Sequence, residues 1–300
     1  MLAMLMLLGF LGVKLKYIKV ELKESISQLI LKFTLPLLNI TAITGQELRP
    51  DMLQNAGILI GILVVVFAVL CSIGALAARI FRLPASTKTI HTLMSTFGNV
   101  IFLGYPLITA LYGQEGLFYA IVYALVYDGI VRTLGVFLLA KSGTGDTKSG
   151  LKKLINPNTI AFAVALCMLA VGLRLPSSVH ETLASVGAMT TPLSMLFIGI
   201  TLGSIPLRGI YKRFSIYCII IIKMLLVPLC LTLILSHLPM DRTLMGVLIM
   251  QVAMPAQTIL TVLANNFGSD YRYATECVFI TTVASLVTLP AVYWFILQII

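Results

Sequence analysis

Residues 97–106 read FGNVIFLGYP. The stretch lies in the middle of a hydrophobic segment long enough to cross a bilayer, yet it holds two glycines, an asparagine and a proline. A lipid-facing helix gains nothing from these residues. Gly and Pro loosen the helix, and Asn brings an amide that hydrocarbon cannot satisfy. A second broken span reads QVAMPAQTILTVLANN over 251–266, and Asn99 and Pro255 stand 156 residues apart. These two breaks are where function is expected.

Composition sets the class. The chain has 300 residues, 59% hydrophobic and only 11% charged, with a mean hydropathy of +1.03. Soluble domains run near a quarter charged, so this chain cannot cover a water-facing surface and is expected in a bilayer. The alternating ten-residue segments of a β-barrel are absent, which leaves an all-α membrane protein. The formal charge of +10 reflects Lys and Arg held in cytoplasmic loops rather than nucleic-acid binding. Cys71, Cys167, Cys218, Cys230 and Cys277 lie in or beside apolar spans without CxxC spacing, so neither a disulfide framework nor a metal site is expected. The apolar N-terminus lacks a basic region and an A-x-A site, and reads as a first span rather than a cleaved signal.

A helical crossing takes roughly twenty apolar residues. On that rule ten spans are expected, at 1–18, 22–44, 53–80, 87–112, 115–140, 156–174, 178–204, 213–236, 242–267 and 272–300. Basic residues set the orientation. Lys14, Lys16, Lys19 and Lys23 follow span 1, Arg79, Arg82 and Lys88 span 3, and Lys141, Lys148, Lys152 and Lys153 span 5. Arg208, Lys212 and Arg213 follow span 7 and Arg272 follows span 9, against Arg49, Arg174 and Arg242 on the other side. This bias places both termini outside a plasma (bacterial inner) membrane and the 141–155 loop in the cytoplasm. That loop, KSGTGDTKSGLKKLI, lacks the G-x4-G-K-[ST] spacing of a phosphate cradle and divides the chain in two.

The halves repeat. Pro36 in FTLPLLN and Pro192 in TTPLSM share the offset of 156 that relates Asn99 to Pro255. Each half, 1–140 and 156–300, has five spans, so the second enters from the opposite side. Inverted repeats of this kind carry a substrate site near the midplane, built from discontinuous helices whose unpaired N–H groups face an anion. Asn99 near the first break and Gln257 near the second add neutral side-chain amides. The alternative is that these prolines and glycines only kink helices for packing.

Few ionisable groups remain within spans. Asp128 and Arg132 are four residues apart on one helical face, either a structural ion pair or a proton relay. Lys32 and Lys223 each lie in the first half of a span and are expected to snorkel. Lys223 is the deeper, and the better candidate for a substrate-facing cation. His91 and His237 near span ends read as solvated interfacial residues. Gly57–Gly61 and Gly199–Gly203 have G-x-x-x-G spacing and are expected to pack helices. His180-Glu181 begins a zinc-protease pattern, but Ala184 stands where the second ligand is needed. No catalytic constellation gathers at one depth, so an enzyme is not expected.

FGNVIFLGYPL at 97–107, INPNTIA at 155–161, TLPLLN at 34–39 and MPAQTILTVLANNFGSD at 254–270 resemble the auxin efflux carrier family of permeases. The similarity runs over nearly the whole chain. It implies ten transmembrane helices as two inverted five-helix repeats, with helices 4 and 9 unwound at prolines and crossing at the substrate site. The crossing then falls on Gly98, Asn99 and Pro106 and on Pro255 and Gln257. Val100 and Gln257-Thr258 depart from the family's pattern and bear on specificity. The resemblance further implies an organic anion substrate, mostly a carboxylate, and an often dimeric scaffold beside a moving transport unit, hence alternating access; no cofactor is expected, and H+, Na+ or the membrane potential alone stay open as the driving force. A passive channel, or a substrate-sensing membrane protein on the same fold, is the competing expectation.

Overall fold

The structure, a computed structural model, describes residues 2–46, 50–142, 156–205 and 213–300. Every regular element among them is helical. In chain order these are α1 (Leu2–Lys14), α2 (Leu22–Leu29), α3 (Leu35–Thr44), α4 (Pro50–Ile80), α5 (Ala85–Thr96), α6 (Tyr105–Ile130) and α7 (Val136–Ser142). There follow α8 (Pro157–Ala170), α9 (Ser177–Ala188), α10 (Thr190–Ser204), α11 (Phe214–Ile219), α12 (Val227–Leu235), α13 (Arg242–Val252), α14 (Ile259–Asn266) and α15 (Tyr271–Ile299). The expected 141–155 linker lies outside the described residues from 143 onward, as do Arg49, Lys148, Lys152, Lys153, Arg208 and Lys212.

Six helical stretches among the described residues are long and apolar enough to cross a membrane: 22–44, 51–80, 100–141, 177–204, 214–235 and 271–299. Shorter apolar helices are α1, α8 and α13. The stretch 100–141 is interrupted at Gly113, whose φ of 64° and ψ of −153° turn the chain between the spans expected at 87–112 and 115–140. A residue with a Cβ is strained there. Val64, Val65, Leu286, Val287 and Leu297 face outward, and an apolar exterior of this extent suits lipid rather than water.

Wide π-type turns join several helices, at Ile30–Thr34, Val100–Gly104, Val131–Gly135 and Ile220–Leu226. The first, second and fourth each end two residues before a proline: Pro36, Pro106 and Pro228. A proline ring collides with the carbonyl one turn earlier and removes a donor, and widening the preceding turn relieves both. Asn156 caps α8 by accepting from Asn158 N at 3.0 Å and Thr159 N at 3.2 Å, with Pro157 pre-set for the first turn. Asn158 in turn donates to the Leu31 carbonyl at 3.3 Å, inside the first wide turn.

The chain divides into two compact units. Unit 1 comprises Met1–Leu53, Ile101–Ile121 and Ile155–Pro206, and unit 2 comprises Gln54–Val100, Val122–Leu154 and Leu207–Ile300. In unit 1, α1 lies along α10 and α3 packs on α8 and α9. The α1–α10 approach runs over glycines. A Cβ on Gly9 would stand 2.6 Å from the Leu196 carbonyl oxygen, and one on Gly199 would collide with the Met6 carbonyl oxygen. Gly203 meets Val13 in the same seam. Gly57 and Gly61 differ, because a Cβ on either would meet open space.

In unit 2, Phe67, Phe97, Tyr123 and Tyr127 form an aromatic cluster with ring centroids 5.3–6.1 Å apart. It packs the end of α5 against α4 and α6. These contacts give a direct test of the seam in unit 1. Gly199→Ala is expected to destabilise the purified protein by about 1–3 kcal/mol, the usual cost of overpacking, read as a lowered melting temperature in detergent. Gly57→Ala is expected to leave that temperature unchanged.

Candidate functional site

The helix of span 4 stops at Thr96, and Phe97 is extended with φ −103° and ψ 128°. The helix of span 9 stops at Val252 and resumes at Ile259. Both breaks lie in unit 2 and run antiparallel, with Gly98 opposite Ala256 in a single bridge. Asn99 N donates to the Pro255 carbonyl at 2.7 Å, and Gln257 N donates to the Phe97 carbonyl at 3.3 Å. Each break therefore supplies partners to the other. Inside a membrane, where water cannot serve, such accounting decides whether backbone can leave a helix at all.

Side chains complete the accounting. Thr281, on α15, accepts from Ala256 N at 3.0 Å and donates to the Cys277 carbonyl at 2.6 Å. Gln251 Nε2 donates to the Val100 carbonyl at 3.4 Å. Lys223 Nζ donates to the Phe97 carbonyl at 2.9 Å, at the C-terminal end of α5. A cation there complements the negative end of the helix dipole. The backbone of Gly98 passes close beneath this group: a Cβ would stand 3.0 Å from Met254 Cβ and 3.4 Å from Lys223 Nζ. Only glycine fits this approach without displacing a neighbour.

Polar groups around the breaks are buried but not exhausted. Asn99, Gln251, Gln257 and Lys223 are at most 2% exposed. Asn99 Nδ2 reaches Thr258 Oγ1 at 3.4 Å, while Asn99 Oδ1, Gln251 Oε1 and Gln257 Oε1 have no hydrogen-bond partner. Buried amide ends without partners are rare, and each costs free energy unless something binds there. Which end of an amide faces inward is assigned from its surroundings, so rotation of Asn99 would present its NH2 instead. The N-terminus of α14 begins one residue beyond Thr258.

The structure gathers Gly98, Asn99, Pro255, Gln257, Thr258 and Lys223 within unit 2. Pro106 belongs to unit 1, where it lies buried in the first turn of α6. Asp128 and Arg132 form the ion pair that their spacing allows, at 2.7 Å and with each side chain 28% exposed. Lys32 reaches back along its helix to Gln28 at 3.2 Å. Lys223, by contrast, turns inward rather than snorkelling, because the Phe97 carbonyl holds it.

Several residues of this region escape sequence reasoning. Gln251 and Thr281 are among them, although Thr281, Ser285 and Thr288 form a buried hydroxyl stripe at helical spacing on α15. His91 is also corrected. It is fully buried rather than solvated, and its Nδ1 lies 2.7 Å from Tyr273 OH. Glu276, near the start of α15, is 9% exposed at its side chain and pairs with Arg213 at 2.7 Å.

Comparison with known proteins follows the same lines. A family model described as membrane transport protein matches residues 1–293. An uncharacterized transporter of Methanocaldococcus jannaschii is 29% identical over 248 residues, covering 78% of each chain. An uncharacterized transporter of Methanothermobacter thermautotrophicus is 25% identical over 295 residues, covering 95% of this chain and 93% of its own.

The bond from Ala256 N gives a test of how the second break is held. Thr281→Val removes its acceptor and is expected to cost about 1–3 kcal/mol, the penalty of an orphaned buried donor. Thr281→Ser is expected to restore most of that loss in the same thermal unfolding measurement. Equal stability of the valine and serine variants would show that the hydroxyl does not hold the break.

Proposed function

The chain belongs to the auxin efflux carrier-type family of membrane transport proteins, and on that premise we propose that it moves a small organic anion, a carboxylate, bound at the paired breaks. One observation carries the proposal. Asn99 and Gln257 each bury an amide oxygen without a partner at the breaks, where Lys223 donates to the Phe97 carbonyl and α14 begins. An amide rotates to present its NH2, a helix N-terminus presents N–H groups, and an ammonium retains donors beyond the one used on Phe97. Together they suit a carboxylate without committing a lone charge to lipid. The binding residues on this reading are Gly98, Asn99, Pro255, Gln257 and Thr258, with Pro106 ending the first break and Lys223 supplying charge.

The reading extends to architecture: ten spans in two inverted repeats, 1–140 and 156–300, joined by the 141–155 linker, with alternating access as the mechanism. Two contacts support the repeat. Thr190 Oγ1 donates to Thr34 Oγ1 at 2.9 Å across a separation of 156 residues. Asn99 N meets the Pro255 carbonyl at 2.7 Å across the same separation. In an inverted repeat, only residues on the pseudo-twofold axis touch their own equivalents, and each unit has one such pair. Both termini outside the plasma membrane, a homodimer and a coupling ion, H+ or Na+, complete the proposal. Asp128 and Arg132 enter it as a structural pair.

Transport in proteoliposomes tests the site. With malonate, malate and succinate as probes, Asn99→Ala and Gln257→Ala are each expected to lower uptake at least tenfold while the protein stays folded and monodisperse. Wild-type rates in both variants, for every anion that the parent moves, would remove the breaks as the site. Single-channel conductance would argue against alternating access.

A further inference from the structure

The buried end of unit 2 that holds His91 does not take part in binding as described above, and it leads to Lys223. His91 Nδ1 lies 2.7 Å from Tyr273 OH, and Tyr273 OH lies 2.9 Å from Ser215 Oγ. Ser215 stands in the first turn of α11, two residues beyond the part-exposed Arg213. The other nitrogen of the ring, Nε2, is buried and has no partner. His91 also lines a cavity of about 10 Å³ that is walled by Leu70, Gly74, Ser95, Cys218 and Lys223 among others. A volume of that size holds one water. His91, Ser95 and Lys223 are the polar residues of its largely apolar wall, Ser95 donating to the His91 carbonyl and Lys223 touching the paired breaks through Phe97.

We propose that His91 relays protons between the Tyr273–Ser215 pair and Lys223, so that anion movement at the breaks is accompanied by proton movement. The proposal rests on the reading of the breaks as the anion site. An imidazole whose Nδ1–H donates to Tyr273 leaves Nε2, buried and unpartnered, as its acceptor. In the discharging direction an N–H bond of the Lys223 ammonium breaks and its proton passes to the cavity water. That water gives a proton to Nε2. The Nδ1 proton then moves to the Tyr273 oxygen as the Tyr273 hydroxyl proton moves to Ser215, which hands its own to water at the start of α11. The lysine ends neutral, the histidine holds its one proton on Nε2 instead of Nδ1, and one proton has crossed the cluster. The reverse sequence recharges Lys223.

The groups that surround this route are few. On α5 they are His91 and Ser95, and α4 contributes no titratable group to the cavity wall. Before and along α11 they are Arg213, which lies 5.2 Å over the Tyr273 ring, Ser215 and Cys218. On and before α15 they are Asp270, which accepts from Thr87 at 2.7 Å, Tyr273, Glu276 and the buried Cys277. Asp270 and Glu276 are both engaged by Arg213, at 3.7 and 2.7 Å, and Glu276 also by Arg272 at 3.4 Å.

The test uses the full chain in proteoliposomes with a pH-sensitive dye inside and malonate, malate or succinate outside. The wild type is expected to accumulate an anion under an imposed pH gradient and to shift the internal pH as it does so. His91→Gln is expected to exchange the same anion across equal pH at a rate within twofold of wild type, yet to lose gradient-driven accumulation at least tenfold. Tyr273→Phe keeps the ring under Arg213 and is expected to behave as His91→Gln does. Gradient-driven accumulation retained by His91→Gln would overturn the relay, and so would a wild type that moves an anion without moving protons, while leaving the anion site intact. A wild type that moves none of the anions would overturn both.

Discussion

The rest of unit 2 depends on one exchange of backbone hydrogen bonds. Residues 97–99 and 255–257 have left their helices inside a hydrophobic layer, and an orphaned amide or carbonyl there has no water to turn to. The pair solves this by mutual supply: Asn99 N to Pro255 O, Gln257 N to Phe97 O. What the two breaks cannot give each other comes from Thr281, Gln251 and Lys223. The proline at 255 has a consistent place in this scheme. It ends α13's run without needing an acceptor of its own, and its carbonyl is the one that Asn99 uses.

Proline explains a second regularity. Three wide turns end two residues before Pro36, Pro106 and Pro228, and the last contains Lys223 while the first contains Lys32. A wide turn shifts the angular position of every residue beyond it and leaves a carbonyl without its usual donor. Lys223 is buried, and its neighbours in the chain on either side are apolar. Lys32 has the same local setting but different surroundings, and its side chain runs to Gln28 and the helix surface. Burial of a cation is a property of the neighbours, not of the turn.

This difference marks what sequence could reach. The interruption at 97–106, the second at 251–266 and their shared offset were legible, because Gly, Pro and Asn in an apolar run contradict a plain helix. The turn at Gly113 and the long apolar helices were legible from the same rules of length and composition. Asp128 and Arg132 were legible as a pair, since four residues bring them to one face. Gln251, Thr281 and His91 were not. Each acts on a group 25 to 182 residues distant in the chain, and no local pattern marks such a partner. His91 shows the cause most plainly: a histidine at a span end is normally solvated, and only the packing of α5 with α11 and α15 buries it.

Electrostatics tie these elements into one argument about transport. The carbonyl end of α5 carries partial negative charge at Phe97, and Lys223 answers it with a full positive one. On the proposed reading this leaves positive charge for an anion at breaks where Asn99 and Gln257 keep unpartnered amide oxygens. If the lysine is neutral, the surplus disappears and the dipoles alone remain. If the breaks bind an anion as proposed, its affinity follows the charge on Lys223. A carrier gains direction only when affinity differs between its two sides, since a ligand shifts an equilibrium only through differential affinity. Under the proposed relay, Lys223 would supply such a difference within the fold itself, using a group that already holds the carbonyl end of the broken helix.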